Sequence, residues 1–240
     1  MDIILIPGLW LDASSWGDVT PVLESSGHRT HPLTLPGMES LDADRSEVTL
    51  DDHVNAVVAA IDAVAPAGST VALVGHSHGG VLAYAASDRR ADRIAHLVYV
   101  ASEPHTADEP YADGEGGGWP TEGGEVPLPD WAFFDDEMTA DLDDMQRDTI
   151  RGRSLPSPNL ATRMPSGLSD DRRRDVPSTV IACEYSSGQL KEWIAAGEPS
   201  AQELGRLRNL TYVDLDCGHW PQFTRPSEIA DLILDAIGPA

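Results

Sequence analysis

Six short apolar runs, separated by stretches with helical spacing, decide what this chain can fold into. The runs are Asp2–Ile6 (DIILI), Thr30–Leu35, Thr70–Val74, Ile94–Val100 (IAHLVYV), Thr179–Cys183 (TVIAC) and Leu210–Leu215. Between them, Ser14–Ser26 carries Trp16, Val19, Val22 and Leu23 near helical spacing. Thr49 stands where it can cap a helix with Val54, Val57, Val58 and Ile61 on one face. A helix is predicted to start near Ser77, with short helices at Gln189–Ala196 and Ala201–Leu207. Thr224 is placed to cap a last helix, with Pro226 in its first turn and Ile229, Leu232, Ile233, Ala236 and Ile237 on its apolar face. Short apolar strands alternating with helices predict an α/β fold: a mostly parallel sheet of six or more strands, covered by helices on both faces. At 240 residues the chain is long enough for one such domain and too short for two.

The alternation breaks off between Pro104 and Asp175. We therefore expect a core built from residues 1–103 and 176–240, interrupted by an insertion at 104–175 that acts as a cap. The first part of the insertion, YADGEGGGWPTEGGEVP, has the Gly and Pro content of a mobile loop. From Asp130 onward, Trp131, Phe134, Met138, Leu142 and Met145 fall at helical spacing and predict a helix that lays its apolar side on the core.

Gly75-His76-Ser77-His78-Gly79 matches G-x-S-x-G, between the apolar run VALV and the helix-forming VLAYAA. That context is what a strand-to-helix elbow needs. The glycines let the chain turn abruptly, and the serine hydroxyl projects at the carboxyl edge of the sheet. The helix start beneath it offers free N–H groups to a developing oxyanion. Ser77 is thus a candidate nucleophile. His76 and His78 leave the turn in other directions, so neither easily reaches the hydroxyl. His76 is expected to pack inside and His78 to border the pocket. His28, His31, His53, His96 and His105 have no placement suited to the role of base.

With these motifs in this order, the chain resembles the α/β-hydrolase superfamily over nearly its whole length. The stretch PGLWLDASSWGDVTPVLESSGHRTHPLTLPG is most similar to the branch that holds plant methylesterases and hydroxynitrile lyases. The resemblance implies oxyanion donors at the backbone N–H of Leu9 and His78, and a general base at His219, in the loop LDCGHWPQFTRP before the last helix. Pro7 stands where that family has a histidine. For the acid that orients His219, the family looks just past Thr179–Cys183, but serine falls at the expected phase. Glu103, after the preceding strand, is the first choice and Glu184 the second. The expected activity is serine-dependent hydrolysis of a small ester or lactone through an acyl-enzyme. A cofactor-free lyase, a C–C hydrolase or a cyclase is the alternative on the same scaffold, and a binding protein with a disabled triad is a third reading. Trp10, Trp119, Trp131, Trp193 and Trp220 lie in segments that can border the pocket, and with Phe133 and Phe134 they point to an apolar or aromatic group on the substrate; Trp10, Trp119, Trp131 and Trp220 are the ones expected to line it.

The formal charge of −24 makes nucleic acid and anionic membrane surfaces unsuitable partners. The acid-rich cap argues against strongly anionic substrates. No apolar run reaches membrane-spanning length, and MDIILIPGLW lacks the basic start of an export signal, so a cytoplasmic location is expected. Cys183 and Cys217 are expected as buried reduced thiols near each other. The histidines show no metal-ligand spacing, so no metal and no cofactor is expected. The expected partner is a small-molecule substrate. The oligomeric state is open, with a homodimer among the allowed forms.

Overall fold

The central strands of the sheet present apolar residues to both sides. In β1 (Asp2–Ile6), Ile4 and Ile6 face one helical layer while Ile3 and Leu5 face the other. Such strands are stable only when covered twice. A computed structural model describes residues 1–66, 68–106 and 119–239 of the chain. In order, β1 is followed by α1 (Thr20–Ser25), β2 (Arg29–Pro32), α2 (Leu50–Val64), β3 (Val71–His76), α3 (His78–Arg90) and β4 (Ile94–Val100). Then come β5 (Glu125–Val126), α4 (Asp144–Arg153) and β6 (Ser157–Pro158), followed by β7 (Ser178–Ala182) and α5 (Ser187–Ala196). The chain closes with β8 (Leu210–Asp214), α6 (Pro221–Thr224) and α7 (Pro226–Ile237).

The main sheet has the order β2-β1-β3-β4-β7-β8, and every pairing in it is parallel. Helices α2, α3 and α5 supply Val54, Val57, Ile61, Leu82 and Leu190 to one face. Helices α1 and α7 supply Leu23, Ile229 and Ile233 to the other. Parallel strands bring all their carboxyl ends to one edge, which is where open α/β sheets bind ligands. The loops after β1, β3, β4, β7 and β8 converge there. Thr49 caps α2 as expected, with Asp52 closing the capping box. Cys183 and Cys217 are both buried and free.

The insertion departs from expectation in one respect. No helix runs from Asp130. A short 3-10 turn at Trp131–Phe133 gives way to tight turns, and α4 starts only at Asp144. The reason is Asp143: it accepts from the Gln146 N–H at 2.8 Å while the Gln146 side chain accepts from the Asp143 N–H at 2.9 Å. That reciprocal pair sets a helix start inside the apolar pattern. Phe134 and Leu142 still reach the core, but Met145 is 76% exposed. The last helix also begins later than Thr224. Pro226 disfavours helical backbone at the residue before it, so Arg225 (φ −135°, ψ 45°) separates α6 from α7. The glycine-rich run at 111–127 lies outside the described residues up to Gly118.

What joins insertion to core is aromatic. Trp10, Leu11 and Trp220 from core loops pack with Val126, Leu128, Phe134, Leu142 and Ile150. Edge-to-face contacts run from Phe134 to Trp220 (5.2 Å), Trp131 to Trp220 (5.4 Å) and Trp10 to Phe134 (5.9 Å). Each such pair adds roughly 0.5–1.5 kcal/mol beyond the area it buries.

A second junction is ionic. Glu203 is fully buried and accepts from Arg173 (3.1 Å), Arg174 (2.8 and 2.9 Å), Arg206 (2.8 Å) and the Tyr84 hydroxyl. It ties the turn that leads into β7 onto α3. Burial pushes the Glu203 carboxyl up, but hydrogen bonds from Arg174, Tyr84 and Arg206 outweigh it and bring its pKa down to about 2. A folded pKa below the unfolded 4.5 stabilises the protein above pH 4.5, and this stabilisation fades as pH falls toward 2. That is about 3 kcal/mol at neutral pH. Glu203→Ala leaves Arg173 buried without its main counter-charge and should cost roughly 3–5 kcal/mol in urea unfolding at pH 7. It should also flatten the loss of stability between pH 4.5 and 2 that the wild type shows. An unchanged unfolding midpoint would mean that the remaining acids, Asp88 and Asp171, suffice.

Candidate active site

The turn after β3 holds Ser77 at φ 52°, ψ −127°, a left-handed conformation rare for a residue with a side chain. Backbone bonds fix it there. The Ser77 N–H donates to Val100 O at 3.0 Å, and the Ser77 carbonyl accepts from Gly80 N–H at 2.9 Å and Ser102 Oγ at 2.6 Å. The surrounding glycines are required by space. A Cβ on Gly75 would lie 2.4 Å from Gly79 O, and one on Gly79 would lie 2.4 Å from Ile6 O. Gly79→Ala should therefore cost at least roughly 1–3 kcal/mol and displace Ser77, because the neighbours are backbone and cannot rotate away. A wild-type melting temperature in that variant would show that the elbow yields.

Trp10 and Ala101 also have positive φ, 66° and 46°, and with Ser77 they mark the carboxyl ends of β1, β3 and β4. Gly8, just after β1, passes so close that a Cβ there would lie 2.9 Å from Ser77 Cβ. Leu9 follows and lines the same cavity as Ser77 and His78. The N–H of His78 opens α3, where helix donors have no intrahelical acceptor.

His219 lies past β8 and lines the cavity. Its Nδ1 is 2.6 Å from Glu184 Oε1. Burial pushes the Glu184 carboxyl up, and the charge and hydrogen bond of His219 more than offset this, leaving it below its ordinary value. Of the two candidate acids, Glu184 is thus the one the structure places against His219. Glu103 accepts from the Tyr185 hydroxyl and lies 3.3 Å from His105 Nε2, so its carboxylate is engaged away from His219. The serines at the expected acid phase have other work. Ser186 caps α5, and Ser187 donates to Asp214 from its N–H (2.5 Å) and its hydroxyl (2.8 Å). Glu184 comes earlier in the chain and reaches the imidazole on a longer side chain.

Several groups hold the His219 loop that the sequence did not single out. The His219 N–H donates to Met138 O at 2.8 Å, and the Gly218 N–H donates to Asp141 Oδ1 at 3.0 Å. The buried His76 donates from Nε2 to His219 O at 2.7 Å, while Gln222 Nε2 donates to its Nδ1 at 3.2 Å. Accepting at Nδ1 needs a neutral ring, and burial together with the nearby His219 holds the His76 pKa down at about 3. His78 bonds Ala161 O at 2.8 Å, and burial followed by the charge of His53 lowers it to about 4. His105, for which the sequence offers no role, lines the cavity. Nothing local in the sequence marks Met138 or Asp141, since they meet the loop only through the insertion's fold.

The cavity is about 330 Å³. Of the four tryptophans expected to line it, only Trp119 does; Trp193, whose segment is also expected to border the pocket, lines it as well. Trp10, Trp131 and Trp220 instead stack in the cluster between insertion and core, and Trp10 is further fixed by hydrogen bonds to Ser157 Oγ (2.8 Å) and Val126 O (3.1 Å). Met138, Met164 and Tyr185 complete the apolar wall. Among the described residues no group of His, Cys, Asp and Glu has the arrangement of a metal site. No helix among them is long and apolar enough to cross a membrane.

The sequence model of the alpha/beta hydrolase family matches residues 3–232. Esterase PIR7B of Oryza sativa subsp. japonica is 35% identical over 100 residues, which is 41% of this chain and 37% of that protein. The chain thus matches well under half the length of that relative. Methylesterase 7 of Arabidopsis thaliana is 25% identical over 97% of this chain and 94% of its own. Among solved structures, an extracellular alpha/beta-hydrolase from a Paenibacillus species superposes with a TM-score of 0.74 at 20% identity, covering 98% of each chain. At that identity the likeness concerns the fold alone.

Proposed function

The chain belongs to the alpha/beta hydrolase family, and on that premise we propose that it hydrolyses small carboxylic esters through an acyl-enzyme on Ser77. One observation carries this reading: a serine held at a positive-φ elbow shares a cavity with a histidine whose Nδ1 is bound to a largely buried carboxylate. With Nδ1–H on Glu184, Nε2 is the ring nitrogen left to accept the Ser77 proton. As Oγ attacks the ester carbonyl, His219 becomes an imidazolium, stabilised by Glu184. The N–H groups of Leu9 and His78 receive the oxyanion. Collapse expels the alcohol, protonated by His219, and water then releases the acid by the same steps in reverse roles.

The insertion at 104–175 serves as the cap. It supplies Trp119, Met138 and Met164 to the cavity wall and holds the His219 loop from above. The cavity volume and those side chains suit a small ester with an apolar or aromatic group. The names esterase and methylesterase borne by the relatives agree with ester cleavage. The test is turnover of short p-nitrophenyl esters, combined with labelling by a serine-reactive phosphonate and peptide mapping. Turnover with the label on Ser77 is the expected result. A label on Ser77 without turnover of any ester would replace hydrolysis by lyase or cyclase chemistry. No label at Ser77 would reject the nucleophile.

A further inference from the structure

One wall of the cavity is polar in a way that the proposed ester chemistry does not use. Glu103, after β4, lines the cavity beside Tyr185 and His105 and is only 9% exposed. Its two oxygens have different partners, Oε2 the Tyr185 hydroxyl and Oε1 His105 Nε2 at 3.3 Å. A carboxylate has about four acceptor directions, so two fixed contacts lock its rotamer and leave capacity for a ligand. Next to it stands an aromatic corner. Tyr185 and Trp193 meet edge to face at 5.7 Å, and both line the cavity. The other charged side chains on the cavity wall are Asp135 and Glu184, and no Lys or Arg lines it among the described residues.

A fixed carboxylate beside aromatic faces, with no opposing Lys or Arg, is the environment in which a cation is stabilised twice: by the carboxylate and by the ring quadrupoles. We propose that Glu103 is a specificity-determining residue and that the cavity selects esters bearing a positively charged ammonium group, seated against Glu103, Tyr185 and Trp193. This deepens the ester-hydrolase reading and rests on it for the reaction, though not for the binding.

Two probes separate the ideas. One is the p-nitrophenyl ester of a butyric acid tipped with trimethylammonium. The other is its isostere, with a tert-butyl group in place of the trimethylammonium. Binding is measured on Ser77→Ala, which holds the esters uncleaved, and on Ser77→Ala/Glu103→Gln. Turnover is measured on the wild type. The cationic ester should bind about tenfold more tightly than the neutral one. The Glu103→Gln change should carry that ratio most of the way to one. In the wild type the preference should appear in KM more than in kcat. Equal binding of the two esters, or a ratio untouched by Glu103→Gln, would overturn the proposal even if both are hydrolysed. A cationic preference in binding without cleavage of either would sustain it and reject the ester-hydrolase reading. If Glu103→Gln fails to fold, Tyr185→Phe and Trp193→Leu, each in the Ser77→Ala background, supply the same ratio from the other side of the subsite. A ratio unmoved in both would count against it.

Discussion

Ser77→Ala is expected to lower kcat for any hydrolysed ester by about 10⁴ or more while leaving the fold intact. Both halves of that expectation come from the elbow. Ser77 is held by its backbone, through the bonds to Val100, Gly80 and Ser102, and none of these uses the Ser77 hydroxyl. Alanine at φ 52° bears much the same backbone strain as serine, so the turn has no new reason to relax. The melting temperature should stay close to that of the wild type, and the phosphonate label should vanish. Residual rate above the uncatalysed reaction should survive, because the oxyanion donors proposed at Leu9 and His78 are left in place. Near-wild-type turnover by this variant would remove Ser77 from the chemistry altogether.

The sheet was legible because its strands must be apolar on both faces, and that demand writes itself into runs such as DIILI and VALV. The elbow was legible for a similar reason: glycine at positions 75 and 79 answers a clash with backbone that no other residue avoids. The acid was harder to read. It depends on where the chain bends after β7, and Ser186 and Ser187 occupy the usual phase because α5 needs a cap and Asp214 takes Ser187 as its donor. The tryptophans misled for a different reason. An aromatic residue near a site fills a pocket or an interface equally well, and the sequence does not contain the packing partner that decides. Trp10 and Trp220 chose Phe134, across more than eighty residues of chain. The Glu203 network was invisible because its charges look like ordinary surface residues until the turn before β7 folds against α3.

Glu184→Gln is the change that decides how the histidine works, and it should lower kcat by roughly 10²–10⁴-fold. In the proposed mechanism the carboxylate does two things for His219. It accepts the Nδ1 proton at 2.6 Å, which leaves Nε2 as the base, and its charge would stabilise the imidazolium formed as Ser77 is deprotonated. A glutamine fills the same space but offers no charge, and turning its amide NH₂ toward Nδ1 would force the wrong tautomer. KM should change little, because the loss falls on the transition state. The fold should hold, since Met138, Asp141, His76 and Gln222 anchor the His219 loop and its neighbours independently. The pH profile provides the sharper check. Because the His219 charge and hydrogen bond keep the Glu184 carboxyl below its ordinary value, the wild type should retain an ionised orienter well into the acid range. The advantage of the wild type over Glu184→Gln should therefore persist as pH falls below the ordinary carboxylate range, and close only once Glu184 itself takes up a proton. A variant with full rate would mean that His219 works without a carboxylate, and that the short contact to Glu184 serves only to seat the loop.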